Sequence, residues 1–298
     1  MTFRIAHISD CHLGPLPPVK LRELASKRVL GYLNWQRNRA KTFESTTTDH
    51  LIDDLKAHSP DHIAVTGDLV NIALEAEFEN AGRFLASLGS AETVTAIPGN
   101  HDAYVPGALD RFNLHCGPHL TSDTPNETIY PILRQRGPIQ IIGLSTATAT
   151  GPFMATGAVD RLQLTRMATE LAASKDLFRL VLIHHPPFDN AGPWHKRLIG
   201  SRGVRDVWKK HGAELILHGH THLPTRRTVE GPHGPIAVFG VASAAQGPGG
   251  HKPAANYTLF DVDRTGTGWK VTATRRGYTA NGSPVIELSQ EVFEASGG

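Results

Sequence analysis

The sequence predicts an α/β fold built on two β-sheets within one domain. Short β-branched runs recur along the chain, and amphipathic helical stretches separate several of them. After Pro224 the helical periodicity stops while strand-like runs continue, so an α/β portion passes into a β-rich one with no Ser/Gly-rich or Pro-rich linker between them.

The predicted strands are Arg4–Ile8, His62–Thr66, Thr93–Ile97, Ile139–Leu144, Arg179–Ile183 and Glu214–Leu217, followed by Ile236–Val241, Asn256–Val262 and Trp269–Arg275. Three helices follow from apolar spacing. Asp49–His58 carries Leu51, Ile52 and Leu55, and Glu75–Leu88 carries Phe78, Ala81, Phe84, Leu85 and Leu88. Val159–Ala173 carries Leu162, Leu164, Met167, Ala168 and Leu171. Prolines 15, 17 and 18 mark a loop, after which Lys20–Lys41 reads as a helix with Leu21, Leu24, Ala25, Tyr32 and Trp35 on one face. This stretch forms a basic insertion at about residues 15–48. The domain runs over residues 1–285, and residues 286–298 read as a fraying tail.

At 298 residues the chain can bury a full core without a disulfide or metal staple. Forty per cent hydrophobic and 19% charged residues exclude a disordered chain. Two cysteines, Cys11 and Cys116, exclude a disulfide scaffold and a CxxC zinc site. Cys11 reads as a buried structural residue. The net charge of +2 does not argue for nucleic acid, and no specific nucleic-acid partner is expected. That total is uneven. Lys20–Lys41 holds seven bases and one acid, a local charge of +6, leaving −4 for the rest. An anionic membrane surface is one partner such a segment could meet. No signal peptide or spanning stretch is legible, so the expected location is cytoplasmic, with peripheral membrane association through this segment as an option.

The 17 histidines direct attention to metal or acid–base chemistry. Five predicted strands end in chemistry-bearing residues: Asp10-Cys11-His12, Gly67-Asp68, Gly99-Asn100-His101-Asp102, His184-His185 and Gly219-His220-Thr221-His222. Ligands of open α/β sheets bind at the carboxyl ends of strands. Asp10 and His12, like His220 and His222, stand two residues apart, a spacing that in extended chain points both side chains one way. Carboxylate and imidazole donors suit Mn, Fe or Zn rather than Ca. The donors are too many for one tetrahedral ion and fit two ions sharing a ligand, a role open to the Asp68 carboxylate. P-loop, HExxH and GxSxG signatures are missing.

The ordered set DxH, GD, GNHD, H and GHxH resembles the calcineurin-like metallophosphoesterase superfamily over about Arg4–Leu223. Gly67-Asp68-Leu69 followed by Glu75, Glu77 and Phe78, together with His184-His185-Pro186-Pro187, is most similar to its class III cyclic-nucleotide phosphodiesterases. The resemblance implies a four-layer αββα sandwich of two mixed β-sheets with a binuclear metal site at the strand ends. It implies one ion on Asp10, His12, Asp68 and His222, and another on Asp68, Asn100, His184 and His220. His184 is preferred over His185 because it directly follows its strand. His101, with Asn100, would contact the substrate phosphate. His101 would also protonate the leaving oxygen, with Asp102 orienting it.

The implied activity is hydrolysis of phosphodiesters, of cyclic-nucleotide or glycerophosphodiester type, by metal-activated water. Alternatives are a phosphomonoesterase or a pyrophosphatase acting on nucleotide-sugar or lipid precursors. A nuclease or a non-catalytic scaffold fits less well. His195, Arg197 and Arg202, in the loop after the fifth strand, are further candidates for substrate contact. His218 is a candidate to support a ligand from behind.

Overall fold

The computed structural model describes residues 2–37, 45–124, 128–266 and 268–296. In chain order the elements begin with β1 (Phe3–Ile8), α1 (Arg28–Arg37), α2 (Ser45–Ala57), β2 (His62–Val65), α3 (Glu75–Leu88), β3 (Val94–Ala96) and α4 (Ala108–Cys116). Next come β4 (Ile132–Arg136), β5 (Ile139–Gly143), β6 (Gly157–Ala158), α5 (Arg161–Ala173), β7 (Phe178–Leu182), β8 (Leu198–Ile199), α6 (Ser201–His211) and β9 (Leu215–His218). The β-rich end supplies β10 (Arg226–Gly231), β11 (Gly234–Gly240), β12 (Asn256–Arg264), β13 (Gly268–Gly277) and β14 (Ile286–Ser296).

Two six-stranded mixed sheets result. The first has the order β14-β13-β12-β1-β2-β3, with β1, β2 and β3 parallel. The second has the order β10-β11-β9-β7-β5-β4, with β5, β7, β9 and β11 parallel. Strand alternation sorts the second sheet's side chains. Ile141, Leu180, Leu182, Leu215, Leu217 and Phe239 join the core of the first sheet. Ile142, Val181, Ile216 and Val238 turn the other way, onto Met167 and Leu171 of α5 and Val204 and Trp208 of α6. Leu51, Leu55, Phe78, Leu85 and Phe112 bring α2, α3 and α4 into the first cluster. The architecture is the expected αββα order.

A buried ion pair ties the second sheet to its helices at the strand ends away from the candidate site. Arg179 of β7 and Glu214, just before β9, form a two-pronged bridge, with Arg179 Nη2 2.6 Å from Glu214 Oε1 and Nε 2.9 Å from Oε2. The pair is almost fully enclosed, at 1% and 0% side-chain exposure. Arg179 Nη1 also donates to the carbonyls of Leu171 and His211, so it closes the last turns of α5 and α6.

Four expectations change. Lys20–Lys41 is not one helix. It forms a 3-10 turn at Leu21–Leu24 and then α1, whose start is marked by the Ser26 hydroxyl accepting from Arg28 N–H. Its apolar residues do not enter the core: no α1 residue is buried, and Leu21 is 87% exposed. Arg39 and Lys41 lie outside the described residues. Lys27 and Arg28 spend their cations on body carbonyls, so the segment offers less outward charge than its composition implies. Residues 286–296 are not a frayed tail, because β14 forms a ladder with β13 from Gly268↔Ser296 to Gly277↔Ile286. Strands β4, β6, β8 and β10 and helices α4 and α6 were not expected. β4 carries Arg134, whose fully buried guanidinium donates to the carbonyls of Thr121, Ala91, Val94 and Pro118. Among the described residues no helix is long and apolar enough to cross a membrane.

Removing one partner of the Arg179–Glu214 bridge strands a buried charge. Glu214→Ala should therefore lower the unfolding free energy by about 3–5 kcal/mol. Replacing both residues by apolar ones of similar volume should recover most of that loss. Urea denaturation followed by circular dichroism checks both, and equal losses for the single and double variants would contradict it.

Candidate metal centre

Strands β1, β2 and β3 lie side by side and parallel, so the loops leaving their carboxyl ends are neighbours. Those loops are laced together. Asp10 N–H donates to Gly67 O, His12 N–H to Asp68 O and Leu13 N–H to Leu69 O. The same end of the second sheet contributes His184 after β7 and His220 and His222 after β9. His220 N–H donates to Asp10 Oδ2 at 3.0 Å, which joins the two sheets at the site.

The convergence does not come from extended-strand alternation, as the spacing implied. Asp10, His12, Asp68, His220 and His222 all have positive φ, between 38° and 68°. Each lies beyond its strand, in the left-handed region that costs a non-glycine residue free energy. Five such residues in one place mean that the surrounding hydrogen bonds over-determine the backbone there.

The side chains meet as three overlapping groups, linked through His12 and Asp68. His222 Nε2 is 3.1 Å from Asp10 Oδ1, and His12 Nε2 is 3.9 Å from Asp68 Oδ2. His184 Nε2 is 3.4 Å from Asp68 Oδ2. Asn100 Oδ1 lies 2.8 Å from His220 Nδ1 and 3.3 Å from His184 Nε2. Donor atoms of Asp10, His12 and His222 lie within 4.8 Å of one another, as do those of Asp68, His184 and His220, and those of His12, Asp68 and His101. Oxygen and imidazole donors at that spacing fit a divalent cation. His185 is turned elsewhere, with Nδ1 2.6 Å from Thr146 Oγ1 and Nε2 3.1 Å from Ala155 O. Its neighbour His184 instead turns Nε2 toward Asp68 and Asn100.

Burial alone would raise the Asp68 carboxyl, but the imidazoles of His184, His101 and His12 hold it well below the usual carboxylate range. Burial would likewise lower His184, yet Asp68 and Asp10 bring it up to about 9. Burial and the neighbouring His185 and His184 hold His220 well below its ordinary value. The centre thus keeps its carboxylates charged and His220 neutral, as a cation requires, whereas His184 must give up a proton when a cation binds.

His101 is only half-buried, at the mouth of the centre. Its backbone N–H donates to Asp68 Oδ1 at 2.7 Å, and its Nδ1 is 2.6 Å from Asn71 O. A carbonyl can only accept, so Nδ1 carries the proton and exchange with a substrate falls to Nε2. Asp102 does not orient this ring. Its carboxylate accepts from the backbone N–H groups of Asp68, Leu69, Val70 and Gly99. Burial and Asp68 push Asp102 up to about 7, against these donors. The orienting carbonyl of Asn71 is itself held by α3: buried Glu77 accepts from the N–H groups of Asn71, Ile72 and Leu74.

Two cavities border the centre. One of about 210 Å³ is lined by His220 together with Lys196, Arg197 and Lys252. The other, of about 260 Å³, is lined by His101 together with Trp35, Tyr104 and Phe153. Of the three loop candidates, Arg197 lines one of these two cavities. Arg202 is exposed and faces Asp206, and the His195 ring packs against Trp194. Lys196, Lys252 and Tyr104 were missed; the glycine-rich run before Lys252 was the one signal of a loop there. Nδ1 of His218 is 2.9 Å from Gly219 O, so it braces the turn rather than a ligand ring. Cys11 is buried in the core, and burial with Asp10 and Asp102 raises its thiol.

Gly99 sits where no side chain fits. A Cβ there would collide with Asp68 Oδ1 and come 2.7 Å from His184 Cε1. Gly99→Ala should displace the shared carboxylate and weaken metal affinity at least tenfold, while the fold persists. Isothermal titration with Mn²⁺ beside circular dichroism checks this, and wild-type affinity would contradict it.

The family model for calcineurin-like phosphoesterases matches residues 3–224. None of the curated proteins matches the sequence significantly. Among solved structures, a purple acid phosphatase from yellow lupin aligns with a TM-score of 0.56 and 14% identity, over 99% of this chain and 54% of that one. The NAD nucleotidase of Haemophilus influenzae aligns with a TM-score of 0.48 and 12% identity, over 99% and 50%. This chain thus spans about half the length of both. The family match covers every residue of the metal centre, and with it the chain belongs to the calcineurin-like phosphoesterase family, a family of metal-dependent phosphoesterases.

Proposed function

We propose that the protein is a binuclear metal-dependent phosphodiesterase. The observation that carries this reading is the pair of cavities, which reach the centre through different histidines, His101 and His220. A phosphodiester has two organic arms and needs two places for them, whereas a monoester needs one.

Asp10, His12, Asp68 and His222 would hold one ion, and Asp68, Asn100, His184 and His220 the other. Mixed carboxylate, amide and imidazole donors suit Mn, Fe or Zn. When bound, such ions supply Lewis acidity and an activated water nucleophile. The protein's own contribution is positional. Asp68 would serve both ions, and His101 N–H fastens to its Oδ1, so ligand and acid are aligned by one carboxylate. His101, steadied through Nδ1 by Asn71 O, would act in its imidazolium form, giving the Nε2 proton to the departing alkoxide and returning to the neutral ring protonated at Nδ1. Cyclic nucleotides and glycerophosphodiesters remain the substrate classes favoured by the motifs. Three cations at the His220 cavity favour a second reading, cleavage of a diphosphate bond whose retained arm carries further negative charge.

Asp68→Ala should lose both metal equivalents and all activity. His101→Ala should keep both metals and lose about 10²- to 10⁴-fold in kcat. Elemental analysis with parallel assays on bis-aryl diesters and aryl monoesters, with Mn²⁺ added, tests this. A higher kcat/KM on monoesters would overturn the diester reading. Two metals retained by Asp68→Ala would overturn the ligand assignment.

A further inference from the structure

Helix α1 contributes nothing to the core, yet it is held firmly against the centre. It has no buried residue, and Val29, Leu30 and Leu33 are 40%, 37% and 41% exposed. Its anchors are specific. Arg28 donates to the carbonyls of Ile72 and Ala73, on the same loop whose Asn71 carbonyl holds His101. Lys27 Nζ donates to Thr150 O at 2.8 Å and lies 4.3 Å from the centroid of the Tyr104 ring. Gly31 lets the helix approach closely, since a Cβ there would stand 2.6 Å from the Tyr104 hydroxyl and 2.8 Å from Ile72 Cγ2. A helix seated by polar anchors on the loop that positions the proposed acid serves that site rather than the core.

The resulting cavity is chemically distinctive. Its walls are Leu30, Asn34 and Trp35 from α1, Asn71, Ile72 and Tyr104 from the body, and Phe153 at the rim. The Tyr104 ring is stacked with that of His101, with centroids 5.5 Å apart and planes 6° from parallel. Phe153 is 83% exposed and has φ of 63°, so the backbone bears strain while presenting an aromatic ring at the mouth. Apart from His101 no lining residue is ionisable in the neutral range, in contrast to the three cations at His220. Three flat aromatic faces flanked by uncharged amides favour a neutral ring, and stacking on aromatic side chains contributes about 1–3 kcal/mol per base-sized ring.

We propose that α1 and Phe153 form a leaving-group subsite that selects neutral alcohols bearing an aromatic ring. The assignment rests on the phosphodiesterase reading, because the acid at His101 marks the side from which the alcohol departs. The ring lies between Trp35, Tyr104 and Phe153, and charged parts of the substrate are directed to the His220 side.

The test uses the full chain loaded with Mn²⁺ and two diesters of similar leaving-group acidity, methyl phenyl phosphate and methyl hexafluoroisopropyl phosphate. Wild type should prefer the phenyl ester at least tenfold in kcat/KM. Trp35→Ala and Phe153→Ala should reduce that ratio to within about twofold, with metal content unchanged. Leu33→Ala, on the same helix but outside the cavity wall, should keep the wild-type ratio. Turnover of both esters without preference, or a preference that survives in both cavity variants, would sink the subsite alone. Turnover of neither ester by protein holding two metals would overturn the phosphodiesterase reading and the subsite with it.

Discussion

Four backbone N–H groups, from Asp68, Leu69, Val70 and Gly99, point at one buried carboxylate, that of Asp102. The centre depends on this gathering. It draws the loop after β2 against the loop after β3, which sets Asp68 beside Asn100 and His101. A carboxylate is suited to this because it accepts several donors at once and is rigid once they are made. Its cost is desolvation, visible in how far Asp102 is raised. That cost is offset only if every donor stays in place, so the loops cannot relax independently. The left-handed backbone at Asp10, His12 and Asp68 is tolerable for the same reason.

Charge in the centre is arranged around Asp68 in the same spirit. Both carboxylates of the donor set are almost completely enclosed, and each lies within reach of imidazoles that favour its charged form. Stability is handled at the other end of the second sheet, where Arg179 and Glu214 neutralise each other and close two helices. The two ends of β7 and β9 therefore do different work. One end is locked by a completed ion pair, and the other holds a cluster of donors able to accept a cation.

Much of the fold was legible because burial imposes period. The strands His62–Val65, Ile139–Gly143 and Phe178–Leu182 are short apolar runs closed by polar residues, and α3 spans the residues its apolar spacing implied. The elements that escaped lack that signature. β4 hides an arginine among carbonyls, and β14 is an edge strand with mostly exposed side chains, specified by its ladder with β13 rather than by its own composition. In the insertion the apolar pattern is present, but it is split between a 3-10 turn and a shorter helix, and it faces a cavity and solvent instead of the core.

The sequence by itself determined which residue types would gather and in what order: Asp10, His12, Asp68, Asn100, His184, His220 and His222, each past the end of a strand that runs parallel to a neighbour in one of the two mixed sheets. Parallel strands end at one edge, so that much follows from local pattern alone. Only the tertiary structure decided how they face one another. The i, i+2 spacing was compatible with extended chain, but hydrogen bonds from a neighbouring loop hold these residues in left-handed turns. It also decided that Asn71, not Asp102, steadies His101, and that α1 walls one side of the centre. Those outcomes rest on carbonyls, N–H groups and packing contacts between segments distant in the chain, and such groups are the same in every residue, so no side-chain pattern announces them.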